Sequence, residues 1–357
     1  MVDPVFRIEL LPARQGDALW IEYGDRLQPS RVLIDAGTRA TYQTVKARAE
    51  QVHDLLLDLV VITHIDSDHI GGAPKLITDR DLRLETQEVW FNGRDEIERT
   101  RLGPVEGEIL SEAIKRRGWQ LNPQFPDRVA VVGEGKLPTA HLVGGMTITL
   151  LSPTPVELDA LRPVWLDVVR NAGLLGGGKA ALERAAERRG VTLGDVDVEK
   201  LARTSTPTDT APANGSTIAF LAEYEGMSCL FGGDAHPEVL VSSIKRLLRE
   251  RGLRRLELSA LKVPHHGSQH NVTQELVDLV DAGAYLFSSD GTQTQHPHAT
   301  AVARVLLSPH GDAELVFNYR TRFNEIWDSR MLERTHSYRA RYPEAGTQGI
   351  DVELTPR

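Results

Sequence analysis

A single cysteine, Cys229, stands among 357 residues, so no internal disulfide can form and the thiolate clusters of structural zinc sites are excluded. Any metal must therefore be held by histidine and carboxylate. Long apolar runs are missing as well. None approaches the roughly 20 residues needed to cross a bilayer, and Asp3, Arg7 and Glu9 interrupt the start of the sequence where a secretion signal needs an apolar stretch. The expectation is a cytoplasmic protein with no membrane partner. Positive charge is in deficit too: a net charge of −9 argues against coating nucleic acid by bulk electrostatics, which draws on many Lys and Arg contacts to phosphate. Basic residues cluster only locally, in Lys245, Arg246, Arg249, Arg251, Arg254 and Arg255, and again in Arg330, Arg334, Arg339 and Arg341. Such runs read first as solvated faces. No Gly-x-Ser-x-Gly elbow occurs, and Cys229 falls inside a predicted strand, so neither an activated serine nor a reactive thiol is expected.

What is present is an ordinary globular balance, 41% hydrophobic and 25% charged, enough for a sizeable core. Short apolar runs bounded by Gly, Asp and Pro predict strands over 5–11, 18–23, 31–34, 55–62, 88–91, 129–132 and 146–151. A second β-rich half follows, with strands over 217–224, 228–231, 256–263, 284–288 and 314–318. Helices are expected at 71–77, 237–251, 273–280 and 300–307. Two β-rich halves, each carrying helices, favour two sheets packed face to face with helices outside.

Residues 155–213 break this pattern. Helical spacing over 163–189 is followed by a Ser, Thr, Pro and Asp tract over 204–213, which reads as an irregular loop open to proteolysis. The segment is expected to be an insertion bordering the site. It contains Gly176-Gly177-Gly178-Lys179-Ala180, which falls short of a phosphate-binding loop because Ala180 stands where Ser or Thr would hold magnesium. We read it as a helix connection.

The strongest signal is Thr63-His64-Ile65-Asp66-Ser67-Asp68-His69-Ile70-Gly71-Gly72, directly after a predicted buried strand. The strand end fixes the backbone and the loop lets neighbouring side chains converge, while imidazole with carboxylate is a donor set for zinc, iron or manganese. Three more strand ends carry similar residues: Gly233-Asp234-Ala235-His236, His265-His266-Gly267-Ser268 and His296-Pro297-His298. Of the 12 histidines, those at 64, 69, 236, 265, 266, 270, 296 and 298 lie in or beside these motifs, which scattered surface histidines would not do. Asp234 is placed to bridge metals. His236, beside Pro237, reads as a helix N-terminus. Asp17 and Asp35 read as residues that orient ligands.

Together these segments resemble the metallo-β-lactamase superfamily, and within it the branch of the DNA-uptake competence protein of the ComEC type. Gln15-Gly16-Asp17-Ala18 and Leu33-Ile34-Asp35-Ala36-Gly37 are similar to that branch's opening strands, Thr63 to Gly72 to its signature loop, Asn214-Gly215-Ser216 to a strand entry, and Lys262 to Ser268 to its second histidine pair. The resemblance implies an α+β fold, a four-layered αββα sandwich. It also implies a metal centre of His64, Asp66, Asp68, His69, Asp234 and His265. The broad family carries a histidine where this chain has Asp66, and another where it has Asn214 or Pro212, so a first metal site loses donors while a second, from Asp68, His69, His265 and Asp234, is complete. One or two ions are expected, zinc first and manganese as the alternative given the hard carboxylate of Asp66. The domain is expected to span residues 1–320, with insertion 155–213, and 321–357 to form a C-terminal extension packed on it.

The mechanism expected is metal-activated hydroxide: a divalent cation lowers the pKa of its water from about 15.7 toward 7 and polarises the scissile oxygen. Asp68, His266 and His296 are the catalytic candidates, and Asn214, Ser216, Ser268 and His298 the substrate contacts. A phosphodiesterase or nuclease acting on nucleic acid or a nucleotide is the leading class. Hydrolysis of a lactam, lactone or thioester, or a metal-binding regulatory module without turnover, are the alternatives, because fold does not decide substrate. A homodimer or a partner protein is compatible with the sequence.

Overall fold

A computed structural model describes residues 4–53, 55–93, 109–165, 167, 196–308 and 312–357. Its strands are β1 (Pro4–Leu10), β2 (Leu19–Asp25), β3 (Gln28–Ile34), β4 (Leu56–Val61), β5 (Glu85–Trp90), β6 (Gln120–Leu121), β7 (Thr139–His141), β8 (Thr147–Ser152), β9 (Ala219–Tyr224), β10 (Met227–Phe231), β11 (Leu256–Lys262), β12 (Val280–Phe287), β13 (Ala313–Phe317), β14 (Tyr338–Arg341) and β15 (Ile350–Glu353). They form two sheets, in the order β15-β1-β2-β3-β4-β5-β6 and β14-β13-β12-β11-β10-β9-β8-β7. The fold is the expected α+β sandwich of two sheets with helices.

Alternation of side chains sets the layers. In β3, Val32 and Ile34 face a core shared with Ile148 and Leu150 of β8, whereas Leu33 between them faces a second core with Tyr42 and Val45 of the helix Tyr42–Ala49. β4 repeats this over its second half, with Leu59 and Val61 on one side and Val60 on the other. A strand buried on both faces needs the continuous apolar run that the sequence shows. On the second sheet, the helix Pro237–Arg251 buries Leu240, Ile244, Leu247 and Leu248 at helical spacing. It starts with Pro237 at a position where the missing N–H costs nothing, and Gly252 closes it at φ 67°.

Residues 129–132 do not form the expected strand. Their amides go elsewhere: Ala130 N donates to Asn92 Oδ1 and Val132 N to Pro153 O, so the apolar spacing serves burial in an irregular segment. The tract is irregular over 204–211, as expected, then enters the helical turn Pro212–Gly215, and it is tied down. Arg304, buried at 5% exposure, donates to the carbonyls of Ala202, Thr204, Gln269 and Val272 and to Thr206 Oγ1. His270 Nδ1 contacts Pro207 O, and Asp209 N donates to His270 O. The helix expected over 163–189 and the Gly176–Ala180 segment lie outside the described residues, apart from the start of that helix.

β14 and β15 fall within 321–357, one pairing with β13 and the other with β1. The basic run after Pro237 is largely spent within the chain: Lys245 pairs with Glu275, Arg246 with Glu250 and Gly133 O, and Arg251 with Glu223. Among the described residues no helix is long and apolar enough to cross a membrane.

Candidate metal centre

The motif loops leave the ends of β4, β10, β11 and β12, where the two sheets meet; Ile218 N, entering β9, donates to Thr63 O just past β4. Two local features bring the loops close. Gly16 is packed so tightly that a Cβ would lie 1.8 Å from Asp68 O, so the β1–β2 turn rests directly on the signature loop. His265 and His266 both adopt left-handed backbone, at φ 47° and 54°, a conformation that costs roughly 1–2 kcal/mol per non-glycine residue. Strain of this kind persists where surrounding contacts enforce it, commonly at working sites. Its effect here is to splay the two imidazoles, whose planes stand 80° apart.

Four imidazoles then converge on Asp234. From its Oδ2, His69 Nε2 lies 3.3 Å away, His265 Nε2 3.5 Å and His64 Nε2 3.8 Å, and from its Oδ1, His266 Nε2 lies 3.8 Å away. His69 Nε2 and His266 Nε2 are 3.2 Å apart, Asp68 Oδ2 is 3.7 Å from His266 Nε2, and Asp66 Oδ2 is 3.7 Å from His64 Nε2.

The other nitrogen of each ring meets an oxygen. Asp35 Oδ2 lies 2.7 Å from His69 Nδ1. Thr63 Oγ1 donates to Asp35 Oδ2, so it accepts from His64 Nδ1 at 3.0 Å. His265 Nδ1 lies 2.9 Å from Asn271 Oδ1 and 3.3 Å from Asp209 Oδ2, whereas His266 Nδ1 faces Asp17 Oδ1 at 3.4 Å without a hydrogen bond between them. An imidazole whose Nδ1–H is held by oxygen presents its Nε2 lone pair, the arrangement of a metal ligand with its supporting carboxylate. The buried atoms His64 Nε2 and Asp234 Oδ1 make no hydrogen bond, a costly state for polar groups that a cation would relieve. The donor set therefore fits a divalent metal.

Asp17, His69, Asp234 and His266 offer atoms all within 4.8 Å of one another. Asp17 nevertheless reads as an orienting group, because Lys262 Nζ donates to its Oδ2 at 2.8 Å and Ser288 Oγ to its Oδ1. His266, given to proton transfer in the sequence reading, stands among the metal-facing groups, nearest Asp234 Oδ1, whereas His265 faces Oδ2. Asp209, Asn271, Lys262 and Ser288 were not singled out from the sequence.

The charges act strongly on one another. Burial works against ionisation of Asp234, but the imidazoles of His265, His69 and His266 hold its carboxyl well below the usual range. Burial likewise opposes the charged forms of His69 and His266, yet Asp234 and Asp35 raise the first, and Asp17 and Asp234 raise the second to about 9. His296 is the reverse case: burial, then the charges of His265, His298 and His266, push it well below 6.5. Burial and His270 lower His298 to about 4. Both rings are thus neutral at pH 7. His296 stacks 6.1 Å from His266 and lies 5.2 Å from His265, its buried Nδ1 unpaired, while His298 Nδ1 accepts from Gln269 N.

Exposure marks the open side: Asp66, Asp68 and His265 side chains are 36%, 24% and 22% exposed, whereas His64, His69, Asp234 and His266 are 0–2%. Asn214 Nδ2 donates to Asp209 Oδ2 at 2.6 Å and its Oδ1 is buried without a partner. Ser216 Oγ donates to Ala213 O, and Ser268 Oγ accepts from His270 N, both hydroxyls being buried in local turns. His236 opens its helix and contacts Ala211 O through Nε2. Burial raises the Cys229 thiol far above its ordinary range, so it stays unreactive.

The metallo-beta-lactamase superfamily model matches residues 12–288. Among solved structures, the metallo-beta-lactamase fold protein YhfI from Bacillus subtilis aligns over 98% of this chain and 100% of its own, at 10% identity and a TM-score of 0.42. A mutant of the CmlA beta-hydroxylase aligns over 99% of this chain, which spans 54% of that one, at 12% identity and a TM-score of 0.37. No curated protein matches the sequence.

Proposed function

We propose that this chain, which belongs to the metallo-β-lactamase superfamily, is a metal-dependent hydrolase of phosphodiesters. The observation that carries the reading is Asp234, buried and flanked by four imidazole Nε2 atoms within 3.8 Å. His64, Asp66 and His265 would hold one ion with Asp234, and Asp68, His69 and His266 a second. Zinc suits this donor set, with manganese the alternative for the side carrying Asp66. Such ions supply Lewis acidity, acidifying a water and polarising the scissile oxygen.

The chain's own residues do the rest. Asp35, Thr63, Asp17, Asp209 and Asn271 fix the rings. The exposed edges of Asp66, Asp68 and His265 leave substrate a way in. His296 and His298, neutral and adjacent, offer N–H groups to phosphate oxygens or the leaving group, and this surplus of imidazole beyond the ligand set favours an anionic substrate over a lactam or thioester. The resemblance of Gln15–Ala18 and Lys262–Ser268 to DNA-uptake competence proteins supports the same choice. With Lys245, Arg246 and Arg251 of the basic run spent on internal pairs, affinity for nucleic acid rests more on the metal centre than on that helix.

The test is elemental analysis with assay of zinc- and manganese-loaded protein against single-stranded DNA, RNA, cyclic dinucleotides, a lactone and a β-lactam. Cleavage of a phosphodiester that chelation abolishes is the expected result. Good turnover of the lactone or lactam with none of the phosphodiesters overturns it.

A further inference from the structure

Lys262 ends β11 with its side chain 1% exposed, an unusual place for an ammonium. It donates to Asp17 Oδ2 at 2.8 Å and to Val263 O at 3.4 Å. Asp17 belongs to the β1–β2 turn of the other sheet and is 2% exposed. Its Oδ1 accepts from Ser288 Oγ, just past β12, and faces His266 Nδ1 at 3.4 Å, an electrostatic contact without a hydrogen bond. Four buried groups from three segments thus meet beside a ring of the metal centre.

Stability alone does not explain this grouping. A buried ion pair loses in desolvation much of what it gains in attraction, and apolar residues of similar volume commonly serve as well. What apolar residues cannot supply is a fixed charge with a direction. Asp35 gains its direction from the Thr63 backbone N–H and hydroxyl; Asp17 gains its own from the Lys262 ammonium and the Ser288 hydroxyl.

We infer that Lys262 is a positioning residue: through Asp17 it holds the His266 ring with Nδ1 against carboxylate, so that Nε2 is presented to Asp68, His69 and Asp234. The inference rests on the reading of His266 as a metal-binding group.

The test replaces the pair together, Lys262→Met with Asp17→Leu, so that no unpaired ion is left buried. Folding is checked by circular dichroism and thermal unfolding, and cobalt(II) is titrated in while its visible spectrum is followed. The folded double variant should bind cobalt about 10- to 100-fold more weakly, the usual effect of losing a ligand's support, with altered visible bands as His266 leaves the ligand set. If the double variant does not fold, Asp17→Asn, which keeps the volume, is read for the same loss. Wild-type affinity and spectrum in a folded variant overturn the inference alone. A wild-type protein that takes up no cobalt overturns the metal reading with it. No cleavage is measured, so failure of the phosphodiester assignment does not enter.

Discussion

Asp35 Oδ2 lies 2.7 Å from His69 Nδ1 while the Oδ1 of the same carboxylate accepts the backbone N–H of Thr63 at 2.8 Å. One buried side chain thus ties the signature loop to β3 and aims the ring of His69. Asp35→Asn keeps the shape but can turn an N–H toward that ring. We expect zinc affinity to fall about 10- to 100-fold with little change in circular dichroism; unchanged affinity in calorimetric titration would contradict this role.

His266→Ala separates two roles for that ring. A proton donor alone would leave metal content intact and reduce turnover. Because His266 Nε2 lies 3.2 Å from His69 Nε2, we expect the variant to lose zinc as well, by more than the roughly 100-fold ceiling of a supporting residue. Full zinc content with slow turnover would return His266 to proton transfer.

Much of this centre was legible in the sequence because its ligands sit at strand ends. The run Leu55–Ile62 stops at Thr63, and His64, Asp68 and His69 follow within one turn; Asp234 and the His265–His266 pair repeat the pattern after β10 and β11. The residues that orient the ligands were harder to read. Asp17 meets Lys262 across 245 positions of sequence and Ser288 across 271, and no spacing rule connects such pairs. The error at 129–132 has a different cause: apolar alternation reports burial, and burial there is satisfied by Asn92 and Pro153 O rather than by a neighbouring strand. β14 and β15 carry Arg339, Arg341, Asp351 and Glu353 among few apolar residues, which is how edge strands avoid stray pairing and also how they escape notice.

Arg304 fastens the 204–206 tract, and its replacement should show it. Arg304→Met removes donors to four carbonyls and a hydroxyl. We expect the wild type to resist limited proteolysis near 203–207, and the variant to lose at least about 2 kcal/mol in denaturant unfolding and to be cleaved there. Equal resistance would show that the tract is held by other contacts.

Away from the metal centre, Glu22 sits in a cluster with Arg7, Arg31 and Arg48. Burial opposes its ionisation, but Arg48 and Arg7 win and hold its carboxyl below the usual value. A depressed carboxyl stabilises fully above the unfolded value of about 4.3, and that contribution is lost as pH falls through the folded value. Glu22→Gln should therefore cost roughly 1 kcal/mol at pH 7, and the gap from wild type should close in acid below the ordinary carboxylate range. A gap constant with pH would assign the effect to packing.

The pairing of β15 with β1, Arg7 against Glu353 and Ile8 against Val352, carries a consequence for synthesis. On the ribosome, β1 emerges just before β2 and can pair with it, but its other edge has no native partner until residues 350–353 are released. Through that interval the edge is an open template of amides and carbonyls, the kind of surface on which nascent chains mispair and which chaperones cover. Folding speed should accordingly be limited by the search of this late segment for its early partner, and yield in the cell should respond to chaperone supply more than the finished protein's stability would suggest.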